Sequence, residues 1–176
     1  MSIRYLTHED VQCCCDFISQ KLIDSNNPPP ILRDADRDKL ETVLLNPQQH
    51  VFGKEAYEGI FAKAACYFYF IIKDHPFANG NKRMALVAAT VFLLANGYQL
   101  TLSAKGMYDL ARETAMSTQD HKSVIHQVQT LLKKNSQKIN VNKLLSKRIR
   151  KALSPASQKR TVTLLQRITE LLRLRR

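Results

Sequence analysis

The sequence predicts an all-α fold: a helical bundle with a short extended flap and a basic helical C-terminal extension. Three observations predict it. Only five glycines and six prolines interrupt 176 residues, long spans are rich in Ala, Leu, Lys and Gln, which favour helix over sheet, and apolar residues recur at three- and four-residue spacing in several segments. With 44% apolar residues the chain can bury one substantial core, enough for one domain with an appendage. We read residues 1–134 as that domain and 135–176 as the extension.

The elements follow in order. Thr7 and, three positions on, Asp10 make a cap-like start, and Val11, Cys14, Phe17, Ile18 and Leu22 form an apolar stripe, so a helix is expected from about His8 to Ile23. The stretch DSNNPPP, Asp24 to Pro30, cannot continue it. A short helix is expected over Asp34 to Leu45, with Leu40, Val43 and Leu44 on one side. From Asn46 to Gly53 the residues NPQQHVFG have no helical period yet include Val51 and Phe52, as an extended flap would. The strongest period runs from Lys54 to Lys73 through Tyr57, Ile60, Phe61, Ala64, Ala65, Phe68, Ile71 and Ile72, and predicts the central core helix. It breaks at Asp74 to Gly80, resumes from Asn81 to Ala95, and stops at Asn96-Gly97, where both residues tolerate a left-handed backbone. Two long apolar helices joined by a short polar loop make an antiparallel pair with the loop at its exposed end. Ser103 can cap a helix to about Ala115, and Ser117 or Thr118 another from Gln119 to about Lys134. NSQKIN marks a boundary, after which Val141 to Leu153 and Thr161 to Leu174 read as two basic helical segments divided by Ser154-Pro155.

Charge is unevenly spread. Through Leu132 there are 13 Lys/Arg against 14 Asp/Glu, and from Lys133 onward 14 against one, Glu170, so the net +12 belongs to the tail. There Lys143, Lys147, Arg148 and Arg150 interleave with Leu144, Leu145 and Leu153, an amphipathic cationic pattern suited to an acidic protein partner, nucleic acid or an anionic membrane. An accessory helical pair with a solvated basic face is the plainer reading. No aromatic residue lies beyond Tyr108, so any nucleic-acid contact from the tail would be with phosphates rather than stacked bases. Cys13, Cys14 and Cys15 occupy adjacent helical positions that point apart, so with Cys66 they read as free thiols in a reducing compartment rather than a metal site. The start MSIRYLTHED is too polar for a secretory segment, so the expected location is cytoplasmic, with delivery into a host cell as a secreted effector left open.

The loop between the two apolar helices carries the chemistry. Asn79, Gly80, Asn81, Lys82 and Arg83 lie where a helix begins, and a helix start offers unpaired N–H groups and a partial positive field. Glycine and two cations there suit a phosphate cradle. His75 is near enough along the loop to accept a hydroxyl proton while that oxygen attacks phosphorus. From the pattern alone, a polar turn with a capping asparagine and a structural histidine remains the other reading.

HPFANGNKR closely resembles the Fic/Doc signature, and LRDADRDKLETVL, VFGKEAYEGIFAKAA and RMALVAATVFLLANGYQL extend the resemblance from about Ile3 to Leu132, nearest the Doc, or death-on-curing, branch. The resemblance implies a Fic/Doc-type bundle using ATP and Mg²⁺. It implies that His75 is the general base, that Phe77 anchors the loop in the core, that Gly80, Asn81 and Lys82 form the anion-binding turn, and that Arg83 contacts nucleotide phosphate. Val51, Phe52 and Gly53 would belong to a flap that aligns a protein target through backbone contacts. Fic enzymes that transfer AMP typically have glycine where this chain has Lys82 and a second arginine where it has Leu86. Doc-branch toxins have lysine at the first position, lack the second arginine, and move the terminal phosphate of ATP to a threonine of elongation factor Tu. Lys82 and Leu86 therefore point to phosphate transfer to a protein Thr or Ser hydroxyl, with AMP transfer as the alternative. The family's self-inhibitory pattern, Ser/Thr-x-x-x-Glu-Gly/Asn, is not found, which implies an external inhibitor such as the small antitoxin of a toxin–antitoxin pair.

One position departs from the signature. The family usually has Asp or Glu where this chain has Asn79, and a neutral carbonyl oxygen is a weaker ligand for Mg²⁺ than a carboxylate. That opens a third reading, a catalytically weak Fic-like binding module; Asp74 is a candidate substitute ligand. Lys63 also matches the branch, and is expected either at the site rim or as a solvated surface lysine. His50 falls in the flap, Arg33 and Asp34 are expected to fix the first helices by an ion pair or a cap, and His121 and His126 have no metal-like spacing to nearby acids or cysteines.

Overall fold

A computed structural model describes residues 3–21 and 29–139. The chain divides into a unit from Met1 to Gln137 and a second from Lys138 to Arg176. The expected basic helices at Val141–Leu153 and Thr161–Leu174, most of the DSNNPPP linker, and Leu22 and Ile23 lie outside the described residues.

The first helix, α1 (His8–Lys21), begins at a reciprocal cap. Asp10 Oδ2 accepts the Thr7 N–H at 2.9 Å while Thr7 Oγ1 accepts the Asp10 N–H at 3.2 Å, which satisfies two donors at once. Val11, Cys14, Cys15 and Ile18 are buried on its inner face. Residues Asp34–Asp36 form one 3₁₀ turn that leads into α2 (Arg37–Leu45), so the helix expected from Asp34 starts three residues later. The cause is Asp36, which is buried and turned inward: its carboxylate accepts Arg33 Nε at 2.5 Å and Lys39 Nζ at 3.0 Å. Asp34 instead pairs with Arg37 at 2.9 Å.

A second 3₁₀ turn, Asn46–Gln48, follows α2 where no helical character was expected. The flap is an antiparallel hairpin of β1 (His50–Val51) and β2 (Lys54–Glu55), with His50 opposite Glu55 and Val51 opposite Lys54. Its turn uses left-handed backbone at Phe52 (φ +50°) and Gly53 (φ +76°), as two-residue hairpin turns require. Pairing by Lys54 and Glu55 takes them out of the core helix predicted from Lys54: α3 spans Gly59–Asp74.

An almost uninterrupted run from Ala62 to Tyr69, with Ile71 and Ile72, is buried in α3. A helix apolar on every side must be enclosed on every side, and α3 packs against α2, α4 (Asn81–Ala95), α5 (Ala104–Met116) and α6 (His121–Lys134). Tyr67 at its centre is buried, with its ring 5.2 Å from that of Phe92, and its hydroxyl accepts the Leu6 N–H at 3.2 Å. Helix α4 has the expected bounds and stops at Asn96, whose side chain accepts the Arg4 N–H and donates to the Arg4 carbonyl, both at 2.9 Å.

Beyond Gly97 lies a strand the sequence reading did not anticipate, β3 (Tyr98–Leu100), paired with β4 (Ser136–Lys138). Its Tyr98 ring meets Phe61 edge-on at 4.8 Å. Ser103 caps α5 as expected, accepting the Gly106 N–H at 3.1 Å. Helix α6 is capped by Asp120, not Ser117 or Thr118: its carboxylate accepts both the Ser123 N–H (3.0 Å) and its hydroxyl (2.5 Å), while Ser117 closes a local turn with Gln119. The described architecture is thus an all-α bundle with two small β ribbons. Among the described residues no helix is long and apolar enough to cross a membrane.

Candidate active site

The chain leaves α3 at His75, a non-glycine residue in the left-handed region (φ +49°, ψ 58°). That conformation ends the helix and sends the backbone into a five-residue turn, Pro76 to Gly80, with the His75 side chain exposed. Phe77 points the other way and is 2% exposed, in the apolar core that also contains Met84 and Ala85. Full burial of such a ring contributes about 2–3 kcal/mol, so the loop is held by its middle.

Asn81 closes the turn. Its Oδ1 accepts the Phe77 N–H at 3.0 Å and its Nδ2 donates to the Phe77 carbonyl at 2.8 Å. The side chain that could have capped α4 is therefore committed to the loop, and Gly80, at the cap position, has none to offer. The start of α4 thus has no side-chain cap, the state in which a helix N-terminus receives an anion. Lys82 is exposed beside it and Arg83 is half-buried.

Two contacts were invisible from sequence. Ala78 N–H donates to the Ile31 carbonyl at 2.8 Å, and a Cβ on Gly80 would come within 3.2 Å of Pro30 Cγ and 3.3 Å of Arg83 Nη2. Gly80 also has φ +73°, a backbone conformation that favours glycine, and any side chain there would need Pro30 and Arg83 to give by a few tenths of an ångström. The end of the proline run read only as a helix breaker in fact forms a wall of the loop; its apolar, rigid residues were the available signal.

Asn79 is half-buried, and its Oδ1 is a buried acceptor with no hydrogen-bond partner. Such an oxygen is costly to keep unless a donor or a cation meets it. One neutral oxygen does not amount to a Mg²⁺ site, because that ion demands near-octahedral oxygen coordination. No group of three or more His, Cys, Asp or Glu among the described residues could hold a metal. The residues present do not fit a protein-held Mg²⁺. Asp74 is exposed beside His75; desolvation raises its carboxyl above the ordinary value, against the opposing pull of His75 and Lys39.

The structure gathers His75 through Arg83 at one end of α3. Val51, Phe52 and Gly53 are exposed at the flap tip, Phe52 completely, and His50 is exposed in β1. Lys63 is neither at the rim of the loop nor on the surface. It is fully buried, with Nζ donating to the Pro47 carbonyl at 3.1 Å and 3.2 Å from Glu55 Oε2, so it meets the root of the flap. Lys63 and His75 are twelve positions apart, about 18 Å along the helix.

The four cysteines are free; Cys14, Cys15 and Cys66 are buried and Cys13 half-buried. Burial pushes Cys14 up to about 12 and Cys15 up to about 11.

A model of the Fic/DOC family matches residues 5–93. Toxin Doc of Mycolicibacterium smegmatis (strain ATCC 700084 / mc(2)155) is 38% identical over 69 residues, covering 39% of this chain and 53% of that protein. The chain therefore spans about half the length of the curated relative it matches.

Proposed function

The chain belongs to the Fic/DOC family, and from that premise we propose that it transfers the terminal phosphate of ATP to a Thr or Ser hydroxyl of a protein, acting as a Doc-like toxin. The observation that carries this reading is the Asn81 clasp on Phe77, which holds an exposed histidine and an uncapped helix start on one short, anchored turn.

In the proposed reaction the His75 imidazole accepts the proton of the target hydroxyl. That oxygen forms a bond to the γ-phosphorus, the bond from phosphorus to the β,γ-bridging oxygen breaks, and ADP leaves. The N–H groups at the start of α4, with Lys82 and Arg83, meet the negative charge on the phosphates. Gly80 lets the backbone approach them closely. Phe77 and Asn81 act by fixing the turn, and Val51, Phe52 and Gly53 present an edge for an extended target segment. Mg²⁺ belongs to this scheme as an ion carried by the nucleotide.

Support for the toxin role is the similarity to Toxin Doc of Mycolicibacterium smegmatis. By the same resemblance the target is a protein, with elongation factor Tu the first to examine, the inhibitor is a small antitoxin, and the place of action is the cytoplasm. A second reading, a weak Fic-like binding module, is favoured by one observation: the oxygen of Asn79 is a neutral amide.

The test is mass spectrometry of bacterial lysate incubated with Mg²⁺, isotope-labelled ATP and either native protein or His75→Ala. A phosphoryl mass gained on a protein hydroxyl, and lost with His75→Ala, is the expected result. An adenylyl mass instead moves the assignment to AMP transfer. No His75-dependent adduct from folded protein that still binds a partner selects the binding module.

A further inference from the structure

We infer that Lys63 is a positioning residue: its buried ammonium pins both ends of the β1–β2 hairpin to α3 and so fixes where the flap presents its edge. That the edge holds a protein target rests on the reading above; the pinning does not.

Lys63 lies in the second turn of the core helix, with no exposed surface. Its Nζ donates to the Pro47 carbonyl at 3.1 Å, stands 3.2 Å from Glu55 Oε2, and lies 5.6 Å from the centre of the Tyr5 ring. Pro47 is in the turn just before β1 and Glu55 is in β2, so one cation holds the chain as it enters and as it leaves the hairpin. The other bonds at the root are local: Ala56 N–H to the Gln49 carbonyl at 2.8 Å, and Gln49 Nε2 to Asn46 Oδ1 at 2.7 Å. They shape the hairpin, whereas the Lys63 bonds tie it to the helix that leads to His75.

A buried ammonium is a poor source of stability. Desolvation offsets much of its attraction to Glu55, and an apolar side chain of similar length would fill the same space without that penalty. Glu55, with 36% of its side chain exposed, can rehydrate if its partner is lost. What the cation supplies is a fixed location for a hairpin whose tip is otherwise fully in solvent. Loss of Lys63 should therefore free the flap without unfolding the bundle.

The experiment compares full-length native protein with Lys63→Met and Glu55→Gln by hydrogen exchange and thermal melting. Lys63→Met is expected to keep the native melting temperature while amides of residues 46–58 exchange about tenfold faster, and Glu55→Gln to speed the same amides about threefold. Unchanged flap exchange in Lys63→Met overturns the inference. If Lys63→Met fails to fold, Glu55→Gln decides alone, because its side chain reaches solvent; native flap exchange in it overturns the inference.

A kinetic arm uses label transfer from labelled ATP to lysate protein. Release of the flap should raise the lysate concentration giving half-maximal rate, with the limiting rate and ATP affinity unchanged. A fall in limiting rate alone would mean that Lys63 serves the phosphate site and overturns the inference. If native protein transfers no label, the proposed function fails while the exchange results still decide the pinning.

Discussion

Replacing Asn81 by Asp gives a prediction whose sign tests the loop. The native side chain both accepts from Phe77 N–H (3.0 Å) and donates to the Phe77 carbonyl (2.8 Å). Aspartate keeps the acceptor, loses the donor and sets a carboxylate against that carbonyl, a loss of about 1–2 kcal/mol. The same negative charge stands in the first turn of α4, where the helix field favours an anion by about 0.3–1 kcal/mol. The first effect wins, so Asn81→Asp should be less stable than native by about 1 kcal/mol at neutral pH, a fall of about 3–5 °C in Tm for a domain of this size. Asn81→Ala, which loses both bonds, should cost about 1–3 kcal/mol. Circular dichroism melts with parallel urea titrations measure both. An Asn81→Asp protein more stable than native would refute the reasoning, because the helix field would then act unopposed and the clasp would not exist.

Three further outcomes are expected. His75→Gly should raise Tm by the equivalent of up to about 1 kcal/mol while abolishing label transfer, since glycine adopts the left-handed backbone at φ +49° without strain; a lower Tm would remove the strain argument. The bonds from Arg33 and then Lys39 hold the Asp36 carboxyl below its ordinary value, so its stabilisation is present above about pH 4, the unfolded value, and is lost as pH falls through the lower folded value. Asp36→Asn should accordingly melt below native protein at pH 7 and converge with it in acid, and an equal deficit at every pH would count against the pairing. At neutral pH, alkylation followed by intact mass should label Cys13 first, leaving buried Cys14, Cys15 and Cys66 unmodified until denaturant is added; prompt labelling of all four would contradict the packing.

The helices with a strong apolar period were legible: α4 was bounded correctly, and α3 was missed only at its start. That error and the misread Lys63 share one cause. Lys54 and Glu55 were assigned to a helix because a polar pair carries no period of its own, whereas cross-strand pairing with His50 and Val51 settles their state. Once Glu55 belongs to a strand beside α3, a lysine on the inner face of that helix has a partner and can be buried; without the strand, solvent was the natural place for it. The ribbon of β3 and β4 joins residues far apart in sequence, and local pattern carries no such pairing. In the loop, the order of residues from His75 to Arg83 was legible, but the wall formed by Pro30 and Ile31 depends on chain return and was not.

The N-terminal segment has a kinetic consequence. Arg4 is fastened by Asn96, 92 positions away, and Leu6 by Tyr67, 61 positions away. Closing loops of that length costs chain entropy before any contact is gained, whereas α3 and α4 meet across six intervening residues, His75 to Gly80. Folding should therefore start from the α3–α4 pair, with the segment before α1 seated after the rate-limiting step. In stopped-flow experiments Asn96→Ala should speed unfolding and leave refolding nearly untouched; slowed refolding would instead place the fastening in the nucleus. On this order of events the segment before α1 is also the first part of the domain to detach when the native state begins to open.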